Sequence, residues 1–193
     1  MRVQTYPEAQ TPPVLRRQVL AMQEDAWPST GPGDPIDPGP VHDPALRPLS
    51  MLLVEDDTVL AALDILFTPI THAGVTLSAA GLSTVVTASA HRRHGHGRRL
   101  VTRARDKLPA LDADLGLFTC DRYLSPFYLA CGWELLPGTV LIGGTRDEPF
   151  PSDQPGFDKV TFATFITPTA IAARASLLGA RVELYCGAID MLW

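Results

Sequence analysis

Several familiar signatures are missing from this chain, and each absence narrows the reading. No apolar run reaches the roughly 20 residues that a membrane span needs, so no membrane partner is expected. The opening residues, MRVQTYPEAQTPP, lack the apolar stretch of a secretory signal, and a cytoplasmic protein is expected. Cysteine is scarce: Cys120, Cys131 and Cys186 are odd in number and without metal-type spacing, which speaks against a disulfide framework. Positive charge is also short, with 16 Lys and Arg against 21 Asp and Glu, a net charge of −5. A general nucleic-acid binder would be basic overall, so no nucleic-acid partner is expected. The dinucleotide fingerprint G-x-G-x-x-G does not fit, and no G-K-[ST] marks a nucleotide P-loop.

What is present suits one globular domain. The 193 residues are 46% hydrophobic and 19% charged, enough to bury one core and marginal for two. Two residue types are unevenly spread. Ten of the 18 prolines lie in residues 1–50, and six of the 14 arginines lie in residues 92–105.

Along the chain, Pro12 or Pro13 suits the first turn of a helix, where the missing N–H has no intrahelical partner. The following VLRRQVLAMQEDAW carries a helical apolar face on Val14, Leu15, Val19, Leu20 and Met22. Residues 28–48 are too rich in proline for a regular element and read as a long loop. Residues 50–54 and 58–67 read as a hairpin around Glu55-Asp56-Asp57, and 75–89 as a third, β-branched strand. A helix is expected from about Gly97 to Leu108, a short buried strand over 115–119, and a helix over 123–131 ended by Gly132. Strands near 134–142 and 159–166 follow, and 167–193 reads as a C-terminal helix and tail. The fold class is therefore α/β (α+β), a single domain over 1–193.

The segment His91-Arg92-Arg93-His94-Gly95-His96-Gly97-Arg98 carries the chemistry. A strand feeds straight into a loop with two glycines, which opens a helix. Free N–H groups at a helix start carry partial positive charge. Glycines let the backbone approach an anion, and arginines add charge-assisted donors. This describes a pyrophosphate cradle. A solvated basic face is the competing reading. A metal site on His91, His94 and His96 lacks a nearby carboxylate or cysteine, and no metal is expected.

Arg92-Arg93-His94-Gly95-His96-Gly97 fits R-x-x-G-x-G, and with the element order it resembles the GCN5-related N-acetyltransferase (GNAT) superfamily over most of the chain. The Phe127–Trp133 segment, FYLACGW, and the tail Asp190-Met191-Leu192-Trp193 look most like the aminoglycoside 2′-N-acetyltransferases. The resemblance implies a central mixed, mostly antiparallel sheet flanked by helices. It implies acetyl-CoA as cosubstrate, with the backbone of Val85, Val86 and Thr87 along the pantetheine arm and Arg92, Arg93, His94, Gly95, His96, Gly97 and Arg98 around the pyrophosphate. Tyr128 falls where the superfamily often places its general acid. Ser83 stands where the aminoglycoside enzymes carry a glutamate base. A hydroxyl does not titrate near neutrality, so a carboxylate elsewhere, with Asp64 and Asp121 nearest by element, or a water relay would take that role.

A small cationic aminoglycoside, gentamicin-type or kasugamycin-like, is the implied acceptor, and antibiotic inactivation the implied outcome. Asp37 in the proline-rich loop, Asp158 and Asp190, with the Trp193 indole over a sugar ring, are the expected substrate contacts. Another amine, a protein N-terminus, or CoA binding without turnover remain as alternatives. Many relatives pair, which makes a homodimer an expectation.

Overall fold

The computed structural model describes residues 1–28 and 39–193. The expected Asp37 contact and most of the proline-rich loop lie outside the described residues. Strand β1 (Arg2–Pro7) precedes helix α1 (Pro13–Ala26). Strands β2 (Leu49–Glu55), β3 (Thr58–His72) and β4 (Val75–Thr87) form a meander. Helix α2 (His96–Lys107) crosses to β5 (Leu115–Asp121), and α3 (Ser125–Ala130) follows. The rest is β6 (Glu134–Leu136), β7 (Val140–Gly144), β8 (Pro149–Pro151), β9 (Lys159–Phe165), α4 (Pro168–Leu177) and β10 (Arg181–Glu183).

The main sheet has seven strands in the order β1-β2-β3-β4-β5-β9-β6, with only β4 and β5 parallel. A second sheet holds β10, β7 and β8. The expected mixed, mostly antiparallel sheet flanked by helices is what the chain forms.

Side chains alternate along a strand, so each strand feeds two cores. On β2, Leu52 and Val54 join Leu15 and Met22 of α1, together with Ala62 and Val86. Met51 and Leu53 face the other way, with Leu100, Val101 and Ala104 of α2. Those three α2 positions recur at helical spacing. That places the arginines of α2 on its outer side, where Arg98, Arg99 and Arg103 are not buried.

Four sequence expectations change. Residues 2–7, passed over in the pattern, pair with β2 as an edge strand. The single strand near 134–142 is two strands in different sheets, because Pro137-Gly138 turns the chain between them. Strands β8 and β10, three residues each, are too short for periodicity to reveal. Within the proline-rich loop, Pro44–Leu46 forms a 3-10 turn, capped by Asp43, whose carboxylate accepts from the Ala45 N–H at 2.9 Å.

Candidate active site

Strands β4 and β5 pair only at Ala79 with Leu115 and Ala80 with Gly116. Beyond that point they diverge. The divergence has a local cause in β4. Ala62 of β3 stands opposite Val86, but Asp64 stands opposite Ser83, so Leu63 faces two residues, Thr84 and Val85. This is a β-bulge, which bends the bulged strand. Thr84 sits at φ +50°, a region that β-branched residues enter only under strain of roughly 1–3 kcal/mol. Its hydroxyl donates to Asp64 Oδ2 at 2.6 Å, which tethers the bulge to β3. Asp64 Oδ1 accepts from the Ser50 hydroxyl at 2.5 Å.

Trp193 fills the gap where the strands part. Its indole N–H donates to the Leu117 carbonyl at 2.9 Å, and its own carbonyl accepts from the Thr119 N–H at 2.9 Å. These bonds take up groups of β5 past the end of its pairing with β4. Gly81 makes the fit: a Cβ there would stand 2.1 Å from the indole Cδ1. Trp193 is 3% exposed. The expectation that its ring lies open to cover a sugar is therefore corrected: the ring is a wedge packed between β4 and β5, and the residue lines the cleft from this buried position.

The cleft opened by the split has a volume of about 640 Å³. Ser83, Thr84 and Val85 line one side, and Thr119, Cys120, Asp121 and Tyr128 the other. Tyr128 packs edge-on against Phe118 and Phe127, with centroids 4.9 and 5.0 Å away. Its hydroxyl has no hydrogen-bond partner among the described residues. Burial pushes the phenol well above its ordinary value of 10, so it keeps its proton throughout the physiological range. Burial likewise holds Cys120 as a thiol, pushed up to about 12, which removes it as a nucleophile.

At one end the cleft meets a cluster that sequence spacing did not reveal. His42 and Asp190 both line the cleft. His42 Nδ1 bonds to Asp190 Oδ1, whose other oxygen accepts from the Asp43 N–H at 2.8 Å. His42 Nε2 lies 3.4 Å from Asp64 Oδ2, an ion-pair distance, and finds no hydrogen-bond acceptor. Burial pulls the imidazolium down, but Asp190 and Asp64 outweigh it, and the pKa rises from 6.5 to about 10. Glu8 lies behind, raised by burial and accepting from the Val41 N–H at 2.6 Å.

The strand–loop–helix junction forms a separate hollow of about 560 Å³, lined by Thr87, Arg92 through Arg98 and Phe127. Gly95 caps α2 at φ +81°, a conformation that suits glycine. The first backbone bond of α2 is from the Arg99 N–H to the Gly95 carbonyl at 2.9 Å. The N–H groups of His96, Gly97 and Arg98 thus have no acceptor within the helix. At Gly97 a Cβ would stand 2.8 Å from Thr87 Oγ1, so only glycine lets the helix start this close to β4. Arg92 braces the loop, donating to the Thr87 carbonyl at 3.3 Å and standing 3.5 Å from Asp25. Arg93 and Arg98 form no ion pair among the described residues. Val86 contributes backbone only, since its side chain is buried against α1. His91, His94 and His96 form no metal cage: no group of three or more His, Cys, Asp or Glu among the described residues could hold an ion.

Asp158 is not at the cleft. It is exposed and paired with Arg122 at 2.6 Å, which corrects the expectation of a substrate contact there. Asp121 does line the cleft, but Lys159 holds it at 2.7 Å. No helix among the described residues is long and apolar enough to cross a membrane.

Two parted parallel strands leading into a glycine-opened helix define an acyl-CoA-dependent acyltransferase architecture. The chain belongs to the GNAT acetyltransferase domain family, whose pattern it matches over residues 16–136. It is an acyl-CoA N-acetyltransferase of GNAT type. Similar solved structures include an acyl-CoA N-acyltransferase from Pseudomonas aeruginosa, with 17% identity, a TM-score of 0.56, and coverage of 84% of this chain and 97% of that one. ElaA from Escherichia coli shares 15% identity at a TM-score of 0.55, covering 84% and 99%. An aminoglycoside 6′-N-acetyltransferase complexed with coenzyme A shares 16% at 0.54, covering 87% and 98%. At these identities the likeness is one of fold. No curated protein matches the chain significantly.

Proposed function

We propose that the protein transfers the acetyl group of acetyl-CoA to a primary amine in the cleft between β4 and β5. One observation carries the reading: the edge of β4 left unpaired beyond Ala80 leads, through the short turn and loop of residues 88–95, to the free N–H groups of α2. An extended chain bearing amides suits such an edge, as an added strand does. A pyrophosphate suits a helix start ringed by Arg93, Arg98 and Gly97.

Acetyl-CoA supplies an acyl group on a thiol leaving group. The chain supplies the rest. Val85, Val86 and Thr87 hold the pantetheine arm through their backbone. A backbone N–H of the bulged 83–87 segment polarises the thioester carbonyl. Tyr128, kept protonated by burial, gives a proton to the departing thiolate. Ser83 lines the cleft but does not titrate. His42 is already protonated at neutral pH, and Asp64 has both oxygens engaged. The amine therefore loses its proton to water, and activity follows the neutral amine fraction. Tyr128→Phe is expected to lower kcat about 10²-fold while the KM for acetyl-CoA stays within about twofold. A variant of wild-type activity removes Tyr128 from the mechanism.

An aminoglycoside acetylated at its 2′-amine is the narrower reading. The FYLACGW segment and Asp190 at the cleft favour it, and one similar fold is an aminoglycoside 6′-N-acetyltransferase. The ion pairs at Asp158 and Asp121 weigh against it. A mass gain of one acetyl group on a drug of the gentamicin or kasugamycin type tests it.

A further inference from the structure

The acceptor end of the cleft is neither acidic nor fully polar. Of the eleven large hydrophobic side chains exposed among the described residues, five line this one cleft: Trp27, Val41, Phe157, Ile189 and Met191. Ile189 is 64% exposed and Trp27 55%. Phe150 extends the patch, packing against Phe157 with centroids 5.4 Å apart. Single exposed apolar residues need no explanation, but a group gathered around a binding cleft does.

The charges in the same cleft are already closed in pairs. Asp121 is held by Lys159 at 2.7 Å, and Asp190 by His42. Asp64, behind His42, carries a charge not matched one to one, and Glu8, its pKa raised by burial, lies beyond it. With His42 protonated, the Asp64–His42–Asp190 group sums to −1. That offsets one ammonium. A molecule with three or more ammonium groups would leave the rest facing Phe150, Phe157, Ile189 and Met191, since the two side-chain carboxylates among the described lining residues, Asp121 and Asp190, are already paired.

We infer that the acceptor is a monoamine on an apolar body, aromatic or branched aliphatic, whose ring or chain lies on the rim formed by Trp27, Phe157 and Ile189. This rests on the N-acetyltransferase reading. The amine end points inward, toward Thr84 and Tyr128. The amine nitrogen forms the new bond to the acetyl carbonyl carbon, the carbon–sulfur bond breaks, and the amine proton leaves to water while the thiolate is protonated.

The test has three arms. Calorimetric titration with acetyl-CoA reports the reading beneath the inference: absence of binding sinks the acetyltransferase itself. With binding in hand, thiol release is measured for 2-phenylethylamine, spermidine and kanamycin. The expected result is a kcat/KM for 2-phenylethylamine about 100-fold above the two polycations, the discrimination an apolar pocket can reach. The paired change Phe157→Ala with Ile189→Ala should raise the KM for 2-phenylethylamine about tenfold and leave acetyl-CoA affinity unchanged. Preference for spermidine or kanamycin overturns the inference, as does no turnover of any amine by protein that binds acetyl-CoA. Sedimentation of wild type and Ile189→Asp covers the other occupant: a dimer that the variant dissociates, with amine kinetics unaltered, assigns the rim to a second copy and overturns it too.

Discussion

The two ends of the cleft are built on opposite principles. The cofactor end is one continuous segment, residues 83–98, with free backbone donors and two arginines, Arg93 and Arg98, that form no ion pair among the described residues. The acceptor end is assembled from residues 27, 41–42, 121, 128, 150, 157, 159 and 189–193, and its lining carboxylates Asp121 and Asp190 are paired before any ligand arrives. An open field of one sign attracts a polyanion of any detailed shape. A closed set of ion pairs ringed by apolar side chains selects by fit. Strong cofactor affinity and a narrow acceptor preference are what this contrast teaches to expect.

The largest break in the contrast should come from Asp64, which serves both ends. Asp64→Ala removes the tether of the Thr84 bulge and leaves His42 and Ser50 short of a partner. Loss of a buried ionic partner costs about 3–5 kcal/mol, and thermal unfolding should show it; a cost under 1 kcal/mol would mean the bulge holds itself. Gly97→Val affects the cofactor end alone. It pushes α2 away from Thr87, and such a misplacement should cost about 10²-fold in acetyl-CoA affinity, readable by titration, with the fold intact by circular dichroism.

The acceptor end is sharpened by pH. His42 titrates at about 10 when folded, against 6.5 ordinarily. A raised value of this sign stabilises fully below about pH 6.5, and the gain declines above it and is lost as pH rises through about 10. The melting temperature of wild type should therefore fall between pH 7 and 10.5 more steeply than that of His42→Gln. Parallel slopes would remove the ion pair. The smallest effect is expected at Asp158, whose pair with Arg122 is exposed. Asp158→Ala should change stability by less than about 1 kcal/mol and leave the KM for the amine unchanged. A large rise in that KM would restore Asp158 to the acceptor site.

The same contrast explains what the sequence could reveal. Glycine spacing, the end of the preceding β-branched strand and the arginine cluster lie together in residues 85–105, so local chemistry and local structure speak together. That made the position of α2 legible within a residue. The FYLACGW segment carries a pattern, and its Tyr128 lies on α3 and lines the cleft. His42 was not legible: it meets Asp190 across 148 positions, and no local rule links a histidine in a proline-rich loop to a tail aspartate. Aspartates alone read as an acidic face. Their arginine, lysine and histidine partners, distant in sequence, cancel that face in three dimensions. Trp193 failed for a related reason, since an indole wedged above Gly81 looks the same in sequence as one open to a sugar. Strand β1 left a signal in its alternating Val3 and Thr5.

Amide hydrogen exchange, followed residue by residue with and without acetyl-CoA, tests the central claim most directly. The cosubstrate should slow exchange at the β4 edge over 83–87 and at His96, Gly97 and Arg98, while β7 and β10 stay unchanged. Protection confined to other segments, with 83–98 exchanging as in the free protein, would contradict the account.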